Sequence, residues 1–121
     1  MWAPWRKTYL RSSSGKNSGC LFCRLVREKK DRRNLVLFRA DHHAVILNRY
    51  PYNNGHLMIV PKRHIDCLSQ MNAQEKAEFF DVLEKVRRAL VKTMRPQGFN
   101  LVMNIADVAG AGIPGNLHWH I

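Results

Sequence analysis

Short apolar runs dominate the first half of the chain, and one long amphipathic stretch dominates the second. Asn34 to Arg39 (NLVLFR) and Ala44 to Asn48 (AVILN) are apolar and rich in β-branched residues, and Asp41 and His42 between them suit a turn. They read as two hairpin strands. Arg49 to Gly55 (RYPYNNG) has loop composition, and His56 to Pro61 (HLMIVP) is a third strand closed by proline. From Ala73 to Met94 the residues Phe79, Val82, Leu83, Val86, Ala89 and Leu90 recur at helical spacing. Asn72 is a good N-cap with Glu75 three residues on, and Pro96 and Gly98 close the helix. Phe99 to Met103 (FNLVM) and Leu117 to Ile121 are the fourth and fifth strands, separated by the glycine-rich loop Asp107 to Gly115 (DVAGAGIPG). Ahead of the strands, Leu21, Phe22, Leu25 and Val26 allow a short helical turn within Cys20 to Lys30, followed by a basic run to Arg33. The order β-β-β-α-β-β, with few connections long enough for parallel pairing, predicts an α+β domain with a mainly antiparallel sheet.

Composition narrows this picture. At 121 residues the chain is one domain with a single core, spanning residues 1–121 and showing no internal repeat. Residues 1–19 form an N-terminal arm, in which Trp2 and Trp5 flank Pro4 and Arg11 to Gly19 (RSSSGKNSG) is a flexible connector; the arm is expected to fold back on the domain. No run of about 18 apolar residues is present and the first residues lack the apolar core of a secretory signal, so the expected location is cytoplasmic, with no membrane partner. The odd number of cysteines, Cys20, Cys23 and Cys67, argues against a secreted disulfide framework and leaves metal binding or reduced thiols. Twenty Lys and Arg against nine Asp and Glu give a formal charge of +11, which favours an anionic partner such as a nucleotide or nucleic acid; a merely solvated basic surface is the alternative.

The candidate chemistry lies at the end of the chain, in Gly-Asn-Leu-His-Trp-His-Ile. On a strand, Asn116, His118 and His120 share one face while Leu117, Trp119 and Ile121 point into the core. A His-x-His pair alone is compatible with an incidental pair, a metal site or a catalytic site. The preceding loop shifts the balance, because Gly110, Gly112 and Gly115 let backbone N–H groups approach phosphate oxygens closely, although such a loop can also be only a tight turn.

Taken together, AGAGIPGNLHWHI, MWAPWR, CLFC, LNRYPYNNGHLMIVPKRH and GFN resemble the histidine triad superfamily, in particular a bacterial branch similar to diadenosine tetraphosphate phosphorylases and fragile histidine triad hydrolases. The resemblance runs from Met1 to Ile121. It implies a five-stranded, mainly antiparallel sheet with a long and a short helix, and a homodimer. The family pattern is His-x-His-x-His followed by two apolar residues, and its middle histidine, the nucleophile, maps onto His118. Attack on the α-phosphorus of a nucleoside phosphoanhydride would give a nucleotidyl-histidine, which water or inorganic phosphate resolves. By the same resemblance His120 contacts the phosphate or the bridging oxygen, His56 stands beside the nucleophile, and Asn48 hydrogen-bonds the ribose hydroxyls. Asn104, Asn116 and the loop amides at Gly110 and Gly112 would belong to the substrate-binding set, with Asn104 and the loop amides near the phosphates. Each of these residues also has a plain structural reading, as a strand-end cap or a solvent-facing side chain.

Cys20 and Cys23 resemble the Cys-x-x-Cys of zinc-containing branches, where His64 of PKRH and the first triad histidine complete a tetrahedral structural site. Here that position is Asn116. The substitution leaves the nucleophile in place and puts zinc in question; a three-ligand site with water and an empty site with reduced thiols are both open. No cofactor is needed for the histidine chemistry itself. Relatives continue beyond the triad strand, so the chain is expected to be truncated after Ile121. The leading expectation is therefore cleavage of diadenosine polyphosphates or related adenosine nucleotides. The alternative is a nucleotide-binding module in which Asn116 has weakened turnover. A nucleic-acid binder using Arg24 to Arg33 ranks last, because no recognised nucleic-acid motif occurs.

Overall fold

The computed structural model describes residues 19–105 and 115–121. The Trp2/Trp5 arm, most of the connector from Arg11, and the loop positions Gly110 and Gly112 lie outside the described residues. Within them, helices α1 (Leu21–Arg27) and α2 (Asp31–Asn34) precede strands β1 (Val36–Arg39), β2 (His43–Leu47) and β3 (Leu57–Pro61). A 3-10 turn (Leu68–Gln70), helix α3 (Ala73–Met94) and strands β4 (Val102–Met103) and β5 (Trp119–His120) follow. The five strands form one antiparallel sheet in the order β1-β2-β3-β5-β4.

The strand and helix boundaries differ from the sequence expectation in three places. The first strand begins at Val36 because Asp31–Asn34 closes a helical turn, ended by Leu35 in the left-handed region at φ 59°. Arg39 clamps that turn, donating from Nε and Nη2 to the Asp31 carboxylate at 2.7–3.1 Å and from Nη1 to the Val26 carbonyl. This turn thus folds within a basic run because Asp31 has a bidentate partner. The fourth and fifth strands are shorter than the apolar runs that mark them. β5 is nevertheless held beyond its ends, since Ile121 exchanges two main-chain hydrogen bonds with Leu57 and the Leu117 N–H donates to the Ile65 carbonyl.

Helix α3 starts as its sequence predicts: Asn72 Oδ1 accepts from the Glu75 N–H at 2.8 Å and its amide donates back to the Glu75 carboxylate. The helix ends where Arg95 turns left-handed at φ 50°, ahead of Pro96. Its stripe of Phe79, Val82 and Val86 packs on Val45, Leu57, Ile59, Leu117 and Trp119 on one face of the sheet. Arg63 and Asn72 satisfy the buried Glu75 carboxylate at the helix start. Further along, Glu78 accepts from the His42 N–H and lies 3.0 Å from Nδ1 of the fully buried His43, tying α3 to β2.

The other face of the sheet carries Val36, Ala44, Ile46, Met58 and Val60, and α1 covers it by driving Phe22 to zero exposure. Burying a phenyl ring in this way stabilises the fold by about 1.5–3 kcal/mol. Strand alternation sends Leu117 and Trp119 towards α3, while Asn116, His118 and His120 face the α1 side. That placement determines where chemistry can occur.

Candidate active site

His118 is buried beneath α1, with its ring 4.9 Å from that of Phe22 and 4.9 Å from that of His120. Its Nδ1 is 2.9 Å from the main-chain oxygen of Asn116. A carbonyl can only accept, so Nδ1 carries the proton and the lone pair resides on Nε2.

The second and third histidines form a wired pair. The Tyr52 N–H donates to His56 Nδ1 at 3.0 Å, and His56 Nε2 lies 2.8 Å from His120 Nδ1. Because Nδ1 of His56 accepts, neutral His56 carries its proton on Nε2 and donates it to His120 Nδ1, which leaves His120 with an N–H at Nε2. The backbone of one loop residue thereby sets the tautomer of a histidine on another strand: His118 presents an acceptor at Nε2, and its neighbour two residues on presents a donor. The Tyr52 ring lies on His56 at 5.2 Å and 16°, fixing the imidazole plane. Asn48 stands beside this pair. Its Oδ1 accepts from the Tyr50 N–H at 2.9 Å, which orients the amide, and Nδ2 is 3.4 Å from His56 Nε2. With the His56 proton directed at His120, that longer approach is a contact between two donors and not a hydrogen bond.

A cavity of about 310 Å³ opens on this face. Phe22, Leu25, Leu35 and Met58 form apolar walls, Asn48 a polar one, and His118 and His120 the floor. Arg24, Arg33 and Arg49 also line it, together with Glu28, so the charged side chains of its described lining are mostly basic. Asn104 is placed elsewhere, in a second cavity beyond His120. Sequence reasoning missed Phe22 and Tyr52. Nothing in CLFC signals that its phenylalanine touches a histidine almost a hundred residues away, and Tyr52 acts through its main chain, which no residue type reveals.

Cys20, Cys23 and His64 bring their ligand atoms within 4.8 Å of one another, and Cys23 Sγ is 3.3 Å from His64 Nδ1. Cys20 Sγ caps α1 by accepting from the Cys23 N–H. Burial, followed by the adjacent Cys20 thiol, pushes the Cys23 thiol above its ordinary value. Asn116 Nδ2 donates to Cys20 Sγ at 3.0 Å, while its Oδ1 is buried without a hydrogen-bond partner among the described residues. Two sulfurs and one imidazole fit a thiophilic divalent metal, and turning the Asn116 amide would bring its orphaned oxygen to the fourth corner. The Asn116 side chain is thus directed at Cys20, and its carbonyl serves His118.

An antiparallel sheet with two buried histidines at alternate positions along the β5 segment, His118 and His120, wired to His56 just ahead of the neighbouring strand β3, defines the histidine triad class. The HIT domain model matches residues 29–121, and the chain belongs to that family. It is 32% identical over 127 residues to a Mycobacterium tuberculosis protein named AP-4-A phosphorylase, an alignment covering 100% of this chain and 65% of that protein. The chain thus spans about two thirds of the length of that curated relative. Among solved structures, a HIT family protein of Bacillus subtilis superposes with a TM-score of 0.75 at 23% identity, covering 85% of this chain and 71% of that one. A Zn-bound histidine triad protein of Mycobacterium smegmatis gives 0.72 at 23% identity, covering 84% and 72%. Both share the fold.

Proposed function

We propose that this chain cleaves the phosphoanhydride of an adenosine nucleotide, with diadenosine polyphosphates as the substrate class, by transferring the nucleotidyl group to His118. The supporting observation is the His118 Nδ1 contact with the Asn116 carbonyl, which puts the lone pair on Nε2 at the floor of a nucleoside-sized cavity. In this reading the base lies among Phe22, Leu25 and Leu35, and Asn48 addresses the ribose. His118 Nε2 forms a bond to the α-phosphorus as the bond to the bridging oxygen breaks, and the displaced polyphosphate leaves as an anion. His118 becomes positively charged, so its Nδ1–H bond to Asn116 strengthens in the transition state, where it accelerates the step. The Nε2–H of His120 hydrogen-bonds the departing oxygen and offsets its growing charge. Water or inorganic phosphate then attacks the adduct, and the electron pair of the N–P bond returns to Nε2. Water yields AMP and phosphate yields ADP.

The metal group takes a structural part: Cys20, Cys23 and His64, with Asn116 at the fourth corner, would hold zinc, which supplies a rigid cross-link between the start of α1 and the segment after β3. A homodimer and a cytoplasmic location complete the reading. The dimer is supported by the exposed Phe80 on α3 and by Leu101, Val102 and Ile105 along the outer edge of the sheet at β4. The deciding experiment is ion-exchange analysis of the products from diadenosine tetraphosphate, with and without inorganic phosphate, in the parent and His118→Ala. ADP only with phosphate identifies a phosphorylase, and AMP without phosphate a hydrolase. No product in either condition overturns the enzymatic reading in favour of a nucleotide-binding module.

A further inference from the structure

Arg39, Arg63, Arg87 and Arg88 each have a carboxylate partner. The arginines that line the first cavity differ: Arg24, Arg33 and Arg49 are exposed, and none of them is ion-paired among the described residues. Glu28 shares that lining, but its carboxylate accepts from Asn34 Nδ2 at 3.0 Å. That hydrogen bond, with the nearby charges of Arg24, Lys30 and Arg33, holds Glu28 below the usual carboxylate range, so it stays ionised and offsets only one of the three guanidiniums. Arg49 is also anchored. Its Nη2 donates to the Arg33 carbonyl at 3.3 Å, which draws the loop after β2 against α2. Arg49 follows directly on Asn48, which lines the same cavity with its amide oriented by the Tyr50 N–H.

Resting on the nucleotidyl-transfer reading above, which puts the α-phosphorus at His118 and the ribose hydroxyls at Asn48, we propose that Arg33 and Arg49 form a subsite for a second phosphate, carried on the 2′ or 3′ hydroxyl of the bound ribose. The argument is where charge can lie. The 5′-phosphate goes to the floor, at the buried His118 and His120, and the base and sugar above it are uncharged. An unmodified nucleoside therefore presents no anion to the exposed guanidiniums of the same cavity. A phosphomonoester on the ribose does, because it leaves the sugar at the hydroxyls that Asn48 addresses, one residue from Arg49. A guanidinium meets phosphate with two parallel N–H donors. With one N–H on the Arg33 carbonyl, the other donors of Arg49 remain for an anion. The transfer step is unaltered: His118 attacks at the 5′-phosphorus, the ribose ester stays intact, and water releases a nucleoside bisphosphate. The substrate class so defined is the 5′-phosphoanhydrides of adenosine that carry a 2′- or 3′-phosphate.

The test compares adenosine 3′,5′-bisphosphate and adenosine 2′,5′-bisphosphate with AMP by calorimetry at low ionic strength. None of the three contains a phosphoanhydride, so the parent protein is used. One bisphosphate is expected to bind at least about tenfold more tightly than AMP, and its identity assigns the phosphorylated hydroxyl. Arg33→Gln combined with Arg49→Gln should bring that ratio close to one. Arg27→Gln combined with Arg32→Gln removes the same charge from the basic run outside the described lining and should preserve the ratio. A ratio of one for both bisphosphates in the parent, or one that survives loss of Arg33 and Arg49, would overturn the subsite. Equal losses in the two double variants would also overturn it, by assigning the gain to the general positive field. AMP binding without a preference for either bisphosphate leaves the nucleotidyl-transfer reading standing, whereas failure of all three to bind removes the subsite together with the nucleoside placement it needs. Product analysis with diadenosine tetraphosphate decides the transfer reading separately.

Discussion

Asn116 holds His118 through its main chain, its carbonyl oxygen lying 2.9 Å from Nδ1, while its side chain reaches the opposite way to Cys20 Sγ at 3.0 Å. One residue therefore connects the thiol cluster to the imidazole. Cys20 also caps α1, the helix whose Phe22 packs on the His118 ring. The nucleophilic candidate is thus braced from two directions by a single sulfur. The main-chain hydrogen bond is available to any residue at position 116, which is why a departure from His-x-His-x-His here changes the group facing Cys20 and leaves the histidine tautomer intact.

If His118 is the nucleophile, His118→Ala should lower kcat/KM for diadenosine tetraphosphate at least about a thousandfold, because the covalent adduct cannot form without its imidazole. Rapid-quench analysis of the parent with radiolabelled nucleotide should trap an acid-labile adduct that the variant lacks. Loss of activity without loss of the adduct would assign the nucleophile to another residue.

His56 is expected to act through His120. His56→Leu removes the donor that holds the His120 tautomer, and kcat should fall about 10- to 100-fold with a smaller change in KM. His56→Gln retains an N–H that can reach His120 Nδ1 and should recover part of the loss. Equal defects in the two variants would mean that His56 matters for packing alone.

Where the sequence carried the answer, it did so through periodicity. Phe79, Val82 and Val86 announced the buried stripe of α3, Asn72 and Glu75 its start, and alternation along Asn116 to Ile121 separated the core side chains from the histidines. Features built from long-range contact left no such mark. The Asp31–Asn34 turn is too short to show a helical period and depends on Arg39. The Tyr52 N–H that fixes His56 is invisible because every residue except proline has one. The direction of the Asn116 side chain is set by a thiol 96 residues earlier, and no local pattern encodes that distance.

The Glu78 carboxylate gives the fold a pH dependence. Burial alone would raise it, but the hydrogen bonds from His43 and the His42 N–H, with the charges of those histidines, bring it below its ordinary 4.5. A depressed carboxylate stabilises the protein above the unfolded value and loses that contribution as pH falls through the folded one. Glu78→Gln should therefore cost about 1.5 kcal/mol in urea unfolding at pH 7. The difference from the parent should shrink as the pH is lowered below 4.5. A difference independent of pH from 7 to 3 would remove the carboxylate charge as its cause.

Asn116 also bears on whether the group of Cys20, Cys23 and His64 takes up a metal. Two thiolates and one imidazole bind zinc strongly, but an amide oxygen is a weaker fourth ligand than imidazole, so the parent should take up zinc and yield it to a mild chelator. Asn116→His restores a nitrogen donor in a position whose side chain already faces Cys20, and its carbonyl remains in place for His118. Zinc affinity measured by competition with a chromophoric chelator should rise at least about tenfold, and metal removal should then lower the unfolding midpoint more in the variant than in the parent. Cys23→Ser should abolish uptake in both. Equal affinities for parent and variant would show that the side chain at 116 lies outside the coordination sphere. The buried Oδ1 would then need a partner other than a metal.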